Sequence, residues 1–559
     1  MEENYDVDMR LNEPVTVRDG VCLSADVYLP KTTGLFPTVL VRTPYSNNNA
    51  DLIRKGRSLA NRGYACVLQD VRGRWDSEGD YYPFFNEAND GYDTQEWIGH
   101  QSWSNGKIGM SGASYPAAVQ WLSAPLQSEF LTCIVPRVMC NDYYQGLVFP
   151  GGAMQLNVAI TWGMRTRART GQNIDFHNWT DLFRTLPLSD LATAVGEDVP
   201  FWDDWINHPT DDDYWQPLKL TERFDEFTIP VLEMSGWYDL YGNRSFSHFN
   251  GLRQQGGSPS ARQAKLIVGP WSHRLSECSC TGDIDFGAVS ILDLDAIELR
   301  WFDYWLKGID NGVIDESPLR IFVMGINQWR DEEQWPPDRT DWQQWYFHSG
   351  GQANTAIGDG ALSRSAPANE PPDHFIYNPN YPVQTHGGAN CCTPELVPWG
   401  PYDQRPVEMR SDVLCYTSEP LEADVEVMGP ITVILHAATD GRDTDWTAKL
   451  VDVSQTGYAM NLCDGIRRAR CRDSFTDPSL LEPDRAYEYS IEVGATANVF
   501  LKGHRIRIEI SSSNFPRFDR NPNTGHPFGK DAELRTAKQT VLHSGEYPSR
   551  VVLPVMPVG

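Results

Sequence analysis

Short apolar runs alternate with helical stretches through the first third of the chain, and this alternation restricts the possible folds more than any other feature. The runs are “FPTVLVRTPY” (Phe36–Tyr45), “YACVLQDVRG” (Tyr64–Gly73), “GKIGMSG” (Gly106–Gly112) and “TCIVPRVM” (Thr132–Met139). Brief, continuously apolar runs of this kind are typical of strands buried on both faces. “DTQEWIGHQ” and “YPAAVQWLSA” lie between them and predict helices. The alternation predicts a parallel sheet with helices on both faces.

The pattern changes twice further along the chain. Helix-compatible and aromatic segments occupy residues 145–225, and buried strands then resume with “IPVLEMSGW” and “AKLIVGPWSH”. The long helical stretch “DLDAIELRWFDYWLKGI” follows, and short runs separated by Gly, Asn, Asp and Pro fill the last part. Such runs are typical of a β-sandwich or jelly roll. We predict an α/β domain in residues 1–144 and 226–338, a helical cap in 145–225 and a jelly-roll domain in 339–559.

Charge and cysteine usage limit the partners and the setting. With 47 basic and 75 acidic residues the net charge is −28, which repels polyanions, so neither nucleic acid nor a membrane is an expected partner. The N-terminus “MEENYDVDMR” lacks the apolar core of a signal peptide. The 11 cysteines are scattered, and the close pairs Cys278/Cys280 and Cys391/Cys392 do not have zinc-site spacing. We expect a cytoplasmic protein with mainly free thiols, no metal and no cofactor, while a disulfide and a homo-oligomer remain open.

The stretch “KIGMSGASYPAAVQW” offers two candidate nucleophiles, Ser111 and Ser114. A nucleophile elbow needs a strand, one strained turn residue and a helix directly after it. If Ser111 were the turn residue, Pro116 would lie beyond the first helical turn, where it costs about 3 kcal/mol. If Ser114 is the turn residue, Pro116 falls in the first turn, where its missing N–H costs little. Ser114 is therefore the predicted nucleophile.

Two later strands end in residues that suit Ser114 as acid and base. “VLEMSGWYD” leads to Asp239 and “KLIVGPWSH” leads to His273, which gives the chain order serine, acid, histidine. The histidine would take the proton of the serine, and the aspartate would fix its tautomer and stabilise the imidazolium. The oxyanion needs donors as well, and we expect the Tyr115 backbone amide and Tyr45 in “LVRTPYS” to supply them.

These residues stand in blocks that resemble a known family, the cocaine esterase and X-Pro dipeptidyl-peptidase (CocE/NonD) hydrolases. The blocks include “QDVRGRWDSEGDYYPFFNEANDGYDTQEWIGHQSWSNGKIGMSGASY”, “GWYD”, “GPWSH”, “RWFDYWLKGIDNG”, “DTDWTAKLVDV” and “GHRIRIEISSSNFPRFDRNPNTG”. The resemblance implies an α/β-hydrolase domain with a helical cap and a C-terminal jelly roll. It also implies a triad of Ser114, Asp239 and His273, with Tyr45 and the Tyr115 amide as oxyanion donors.

The same resemblance implies two pocket residues and several possible reactions. Tyr241 would be an aromatic wall of the acyl pocket, and Trp162 in the cap would be another. The leading prediction is hydrolysis of a small-molecule carboxylic ester through an acyl-enzyme. Amide or α-amino-acid ester hydrolysis, dipeptidyl-peptidase activity and acyl transfer are alternatives with the same triad. Recognition of an ammonium group calls for a nearby carboxylate, for which Glu277 is a candidate, while a non-catalytic carbohydrate-binding protein is the alternative of another class.

Overall fold

The computed structural model describes residues 4–557, and two sheets account for nearly all of their strands. The first twelve strands are β1 (Val7–Thr16), β2 (Cys22–Pro30), β3 (Phe36–Thr43), β4 (Ala65–Asp70), β5 (Ser104–Ala113), β6 (Leu131–Arg137), β7 (Leu232–Gly236), β8 (Lys265–Gly269), β9 (Cys280–Thr281), β10 (Ile284–Asp285), β11 (Leu319–Val323) and β12 (Gln328–Glu332). Ten of them form one sheet in the order β1-β2-β4-β3-β5-β6-β7-β8-β11-β12, and β9 pairs with β10 alone. The strands from β4 to β11 in this order run parallel, and antiparallel strands complete both edges.

Helices cover both faces of this sheet. The α-helices are α1 (Ala50–Asn61), α2 (Glu87–Gly99), α3 (Tyr115–Ser123), α4 (Leu156–Thr166), α5 (Trp179–Leu182), α6 (Leu191–Ala194), α7 (Pro200–Asn207), α8 (Gly242–Gln255), α9 (Leu294–Lys307) and α10 (Arg405–Glu408). Residues of α1 and α9 pack with Val39 and Val41, while α2 and α3 pack in the same core as Leu40. Successive residues of β3 point to opposite faces, so the predicted two-sided burial of the strand is confirmed.

A largely helical insertion lies between β6 and β7, in the region where the cap was predicted. It contains α4 to α7 and, within residues 4–557, none of the strands of either sheet. Buried tryptophans such as Trp202 and Trp215 join its helices to the core that holds α2 and α3. The insertion therefore shares one continuous hydrophobic core with the helices on this face of the sheet.

The remaining strands make an all-β domain. They are β13 (Asp341–His348), β14 (Ala361–Ser363), β15 (Asp373–Tyr377), β16 (Leu414–Ser418), β17 (Val425–Thr439), β18 (Asp445–Val453), β19 (Ala459–Arg468), β20 (Tyr487–Phe500), β21 (Arg505–Ser511), β22 (Ala537–Leu542) and β23 (Arg550–Val555). Its core continues into the first domain, where the ring centroids of Phe246 and Trp335 are 4.0 Å apart.

Within residues 4–557, no helix has the length and apolar character needed to cross a bilayer.

A buried cluster of charged residues joins four elements behind the sheet. It explains the role of Ser111, the other candidate nucleophile. The Ser111 hydroxyl donates to Glu298 of α9 at 2.8 Å, and the same carboxylate pairs with Lys55 of α1 and Arg137 of β6, each at 2.6 Å. Burial works to raise the pKa of Glu298, but the two cations outweigh it and lower that pKa. Ser111 is thus a structural residue that helps hold an ionised carboxylate.

We expect Glu298→Gln to destabilise the protein by about 3 kcal/mol or more, because it leaves two largely buried cations without their counter-ion. Thermal and urea unfolding followed by tryptophan fluorescence measure the change. Asp295→Asn is the matched control, since Asp295 also pairs with Arg137 but its side chain is 84% exposed. That control should stay within about 0.5 kcal/mol of the parent, and equal losses in both variants would contradict the role of the cluster.

Candidate active site

The backbone turns sharply at Ser114. Strand β5 ends at Ala113, helix α3 begins at Tyr115, and Ser114 between them has φ 63° and ψ −127°. A positive φ in a residue other than glycine is a strained conformation that the surrounding structure must hold in place. A side chain on Gly112 would collide with Pro116, so the turn depends on glycine there. The strand, turn and helix predicted from the position of Pro116 are confirmed.

Asp239 and His273 meet at the ends of β7 and β8. His273 Nδ1 and Asp239 Oδ2 are 2.5 Å apart, and the Tyr241 backbone amide donates to Asp239 Oδ1 at 2.9 Å. Asp239 is buried, whereas the His273 side chain is 15% exposed. Because Nδ1 is occupied by the carboxylate, Nε2 is the ring nitrogen left to exchange a proton.

Ser114 opens into a narrow, largely apolar pocket. Its lining residues are Tyr45, Phe84, Ser114, Tyr115, Met139, Leu147, Val148, Val158, Ala159, Trp162, Trp205, Tyr241, Cys391 and Cys392. His273 lies beside the same pocket, since its ring centroid is 6.1 Å from that of Tyr241 and a ring nitrogen is within 4.8 Å of both sulfurs of the cysteine pair. Within residues 4–557 no direct hydrogen bond joins Ser114 to His273, so the shared pocket is what brings them together.

Tyr45 presents its hydroxyl to Ser114. The hydroxyl contacts the Ser114 side chain and accepts a hydrogen bond from Trp162 Nε1 at 2.9 Å. The Tyr45 ring is 39% exposed, yet desolvation of the hydroxyl raises the pKa of Tyr45. A tyrosine that stays protonated is a hydrogen-bond donor, which is what an oxyanion requires.

Buried polar contacts fix the loop that carries Tyr45. The Pro44 carbonyl accepts from Arg74 Nε at 2.9 Å and from Trp75 Nε1 at 3.0 Å. Two residues beyond Tyr45, the Asn47 amide donates at 2.8 Å to Asp70, whose pKa burial raises to about 7. The segment “QDVRGRW” therefore positions the tyrosine from the neighbouring strand end.

The side-chain hydroxyl and the backbone amide of Tyr115 have different roles. Its side-chain hydroxyl accepts from the Phe84 amide at 2.9 Å and donates to Glu87 at 2.8 Å, and Glu87 pairs with Arg42 at 2.8 Å. The backbone amide belongs to the first residue of α3, where an amide has no partner within the helix. This leaves the Tyr115 amide available next to the Ser114 hydroxyl.

Sequence reasoning named five of the 14 residues that line the pocket and missed the other nine, among them Phe84, Cys391 and Cys392. Phe84 stacks between Tyr115 and Trp162, with ring centroids 4.9 and 5.8 Å apart. Cys391 and Cys392 reach the pocket from the all-β domain and are joined by a disulfide, a possibility that the sequence had left open. Phe84 lies within the long block that begins “QDVRGRW”, whereas the cysteine pair stands in no periodic or motif pattern that would have placed it. Glu277, by contrast, is exposed and lies outside the pocket lining.

Comparison with known proteins agrees with this architecture. Residues 19–274 match the X-Pro dipeptidyl-peptidase (S15) family, and residues 311–552 match the X-Pro dipeptidyl-peptidase C-terminal non-catalytic domain. The cocaine esterase of Rhodococcus sp. (strain MB1 Bresler) is 35% identical over 100% of both chains. Among solved structures, an α-amino acid ester hydrolase has a TM-score of 0.83 at 26% identity, covering 99% of this chain and 97% of the other. An aminopeptidase from a marine sediment thaumarchaeote has a TM-score of 0.88 at 25% identity, with the same coverage.

The strained serine, the acid–histidine pair and these relatives together define a serine hydrolase with the α/β-hydrolase fold that cleaves carboxylic esters. A putative serine esterase of Mycobacterium bovis is 25% identical over 97% of this chain and 94% of its own. The chain belongs to the CocE/NonD hydrolase family.

Proposed function

We propose that the protein hydrolyses esters in two steps through an acyl-enzyme on Ser114. His273 Nε2 takes the hydroxyl proton as Ser114 Oγ attacks the ester carbonyl, and Asp239 stabilises the imidazolium. The Tyr45 hydroxyl and the Tyr115 amide hold the oxyanion, and the imidazolium then protonates the leaving alkoxide. Water, deprotonated by the same imidazole, releases the acid from the serine.

One observation carries this assignment: the strained Ser114 hydroxyl contacts Tyr45 in the pocket beside the His273–Asp239 pair. A serine held in a sparsely populated conformation at the pocket floor is typical of a functional site. Trp162 is the donor in its bond to Tyr45, so the tyrosine hydroxyl keeps its own proton to donate on the Ser114 side, where the oxyanion would form.

The pocket favours an uncharged, flat acyl group. Its walls include the stacked rings of Phe84 and Trp162, and none of its lining residues within 4–557 is acidic. Arg74 and Arg165 are close enough to lower the pKa of Tyr45, although desolvation outweighs them. The nearby Asp239 carboxylate is already paired with His273, and no carboxylate lines the pocket to receive a substrate ammonium, so we propose esters of apolar carboxylic acids over α-amino-acid esters.

Amide hydrolysis is the second candidate. It is supported by matches to peptidases, including a putative Xaa-Pro dipeptidyl-peptidase of Bacillus anthracis that is 20% identical over 82% of this chain and 70% of its own. Acyl transfer to an added alcohol or amine would use the same acyl-enzyme.

The cytoplasmic location and a homo-oligomeric state stay predictions.

Ser114→Ala should abolish labelling by a fluorophosphonate and lower turnover of a p-nitrophenyl ester by about 10⁴-fold or more, because the nucleophile is lost. Ser111→Ala is the matched control from the same short stretch of sequence. It should still be labelled, since Ser111 contacts Glu298 behind the sheet. Labelling lost in Ser111→Ala and kept in Ser114→Ala would reverse the assignment.

Tyr45→Phe should lower kcat by on the order of 10²–10³-fold with little change in KM, because it removes one oxyanion donor. Steady-state kinetics on a p-nitrophenyl ester measure both constants. Tyr143→Phe is the control, since the buried Tyr143 hydroxyl has no hydrogen-bond partner in residues 4–557 and is outside the pocket lining. Equal effects of the two substitutions would remove Tyr45 from the mechanism.

A substrate series tests the acyl preference. We expect kcat/KM to be highest for an aromatic acyl ester, lower by about tenfold or more for an α-aminoacyl ester of similar size, and lowest for an X-Pro anilide. The reason is that an unpaired ammonium would enter an apolar pocket. The uncharged N-acetyl derivative of the aminoacyl ester is the matched comparison, and its failure to recover activity would argue against the role of charge.

A further inference from the structure

The cysteine pair beside His273 has a chemistry that ester hydrolysis does not use. Cys391 Sγ, Cys392 Sγ and a His273 ring nitrogen all lie within 4.8 Å of one another. Cys391 is buried, whereas Cys392 and His273 are partly exposed, so the cluster can be reached from solvent. In the disulfide form the two sulfurs have no charge to offer a cation.

Reduction would turn the same atoms into a ligand set. Two thiolates and an imidazole are the donors that Zn²⁺ and Cd²⁺ prefer, and three protein ligands leave a position open for water. A phosphine reductant would break the Sγ–Sγ bond, with water supplying the oxygen of the phosphine oxide and the two thiol protons. The cation would then displace both thiol protons and accept the lone pair of His273 Nε2.

Contacts that do not involve the disulfide hold the cysteine backbone in place. The Cys392 carbonyl accepts from Arg165 at 2.7 Å, and the Thr393 hydroxyl donates to Asn157 at 3.0 Å. Arg165 and Asn157 both belong to α4 of the helical insertion. Because these bonds remain after reduction, the two thiols would stay beside His273.

We propose that Cys391, Cys392 and His273 form a thiol-dependent inhibitory site for a soft divalent cation. In the disulfide form His273 is free to act as base, and in the dithiol form Cd²⁺ or Zn²⁺ occupies its Nε2. The inhibition rests on the proposed role of His273, whereas binding of the metal does not. The spacing of the two cysteines could not predict this site, because the third ligand comes from the other domain.

The test uses full-length protein carrying Cys278→Ser and Cys280→Ser, which removes two exposed thiols outside the pocket. One sample is reduced with a phosphine and desalted without oxygen, and the other is kept as the disulfide. Cd²⁺ is titrated into each, with thiolate-to-cadmium absorbance, metal stoichiometry and ester turnover as readouts. Only the reduced sample should bind one strongly held Cd²⁺. Its turnover should then fall by about tenfold or more, because removing the base removes most of the catalysis. A chelator should restore the turnover.

Variants test the metal site independently of the hydrolase mechanism. Adding Cys391→Ser and Cys392→Ser should abolish the absorbance and the metal sensitivity, judged as turnover with and without Cd²⁺ in that variant. His273→Ala should weaken Cd²⁺ binding at least about tenfold, since even outer-shell partners of metal ligands contribute that much. Equal binding by the disulfide form or by the double serine variant would overturn the proposal, as would binding that leaves turnover unchanged. If Ser114→Ala removes fluorophosphonate labelling while Cd²⁺ fails to bind, the metal site is wrong and the hydrolase mechanism stands.

Discussion

Parallel pairing of β3, β5, β7 and β8 is the constraint from which the active site follows. Parallel strands end at the same edge of a sheet, and these four are followed directly by the segments that carry Tyr45, Ser114, Asp239 and His273. The loops after β7 and β8 are also joined to each other, because the Trp237 amide donates to the Gly269 carbonyl at 3.0 Å and the Tyr238 amide to the Trp271 carbonyl at 2.9 Å. These backbone bonds set the separation of acid and base before any side chain is placed.

Close approach of backbones brings the loops at this edge of the sheet near one another. A side chain on Gly236 or Gly269 would collide with Trp271, which packs beneath the two loops. Gly112 permits the approach of Pro116 in the same way at the serine turn. Tyr115 then uses its side chain to tie the new helix to Phe84 and Glu87, so the strained conformation at Ser114 is held from both sides.

The parts of the site that follow from local backbone rules were predictable from sequence. Pro116 distinguished Ser114 from Ser111, and strand ends followed by polar residues pointed to Asp239 and His273. The cysteine pair could not be found in that way, because a loop without periodicity brings it to the pocket from a distant part of the chain. Phe84 lies in the block that also holds Ser114, but its sequence position does not show that its ring turns into the pocket. The orientation of Glu277 could not be predicted either, because a residue close in sequence to His273 can face away from it after a turn. The domain boundaries at 144, 225 and 338 remain predictions, although strands up to β12, apart from the β9–β10 pair, belong to the first sheet and strands from β13 to the second.

The bond between Arg165 and the Cys392 carbonyl makes the acyl pocket a joint product of three regions of the chain. The sheet supplies the reacting groups, the insertion supplies Trp162, and a loop of the domain that bears no nucleophile closes the remaining side. Substitutions in that loop can reshape the cavity while the strained turn and the charge pair are untouched. Part of the cavity wall is thus encoded far from the strand ends that carry Ser114 and His273, so that part can change in sequence while those strand ends stay the same.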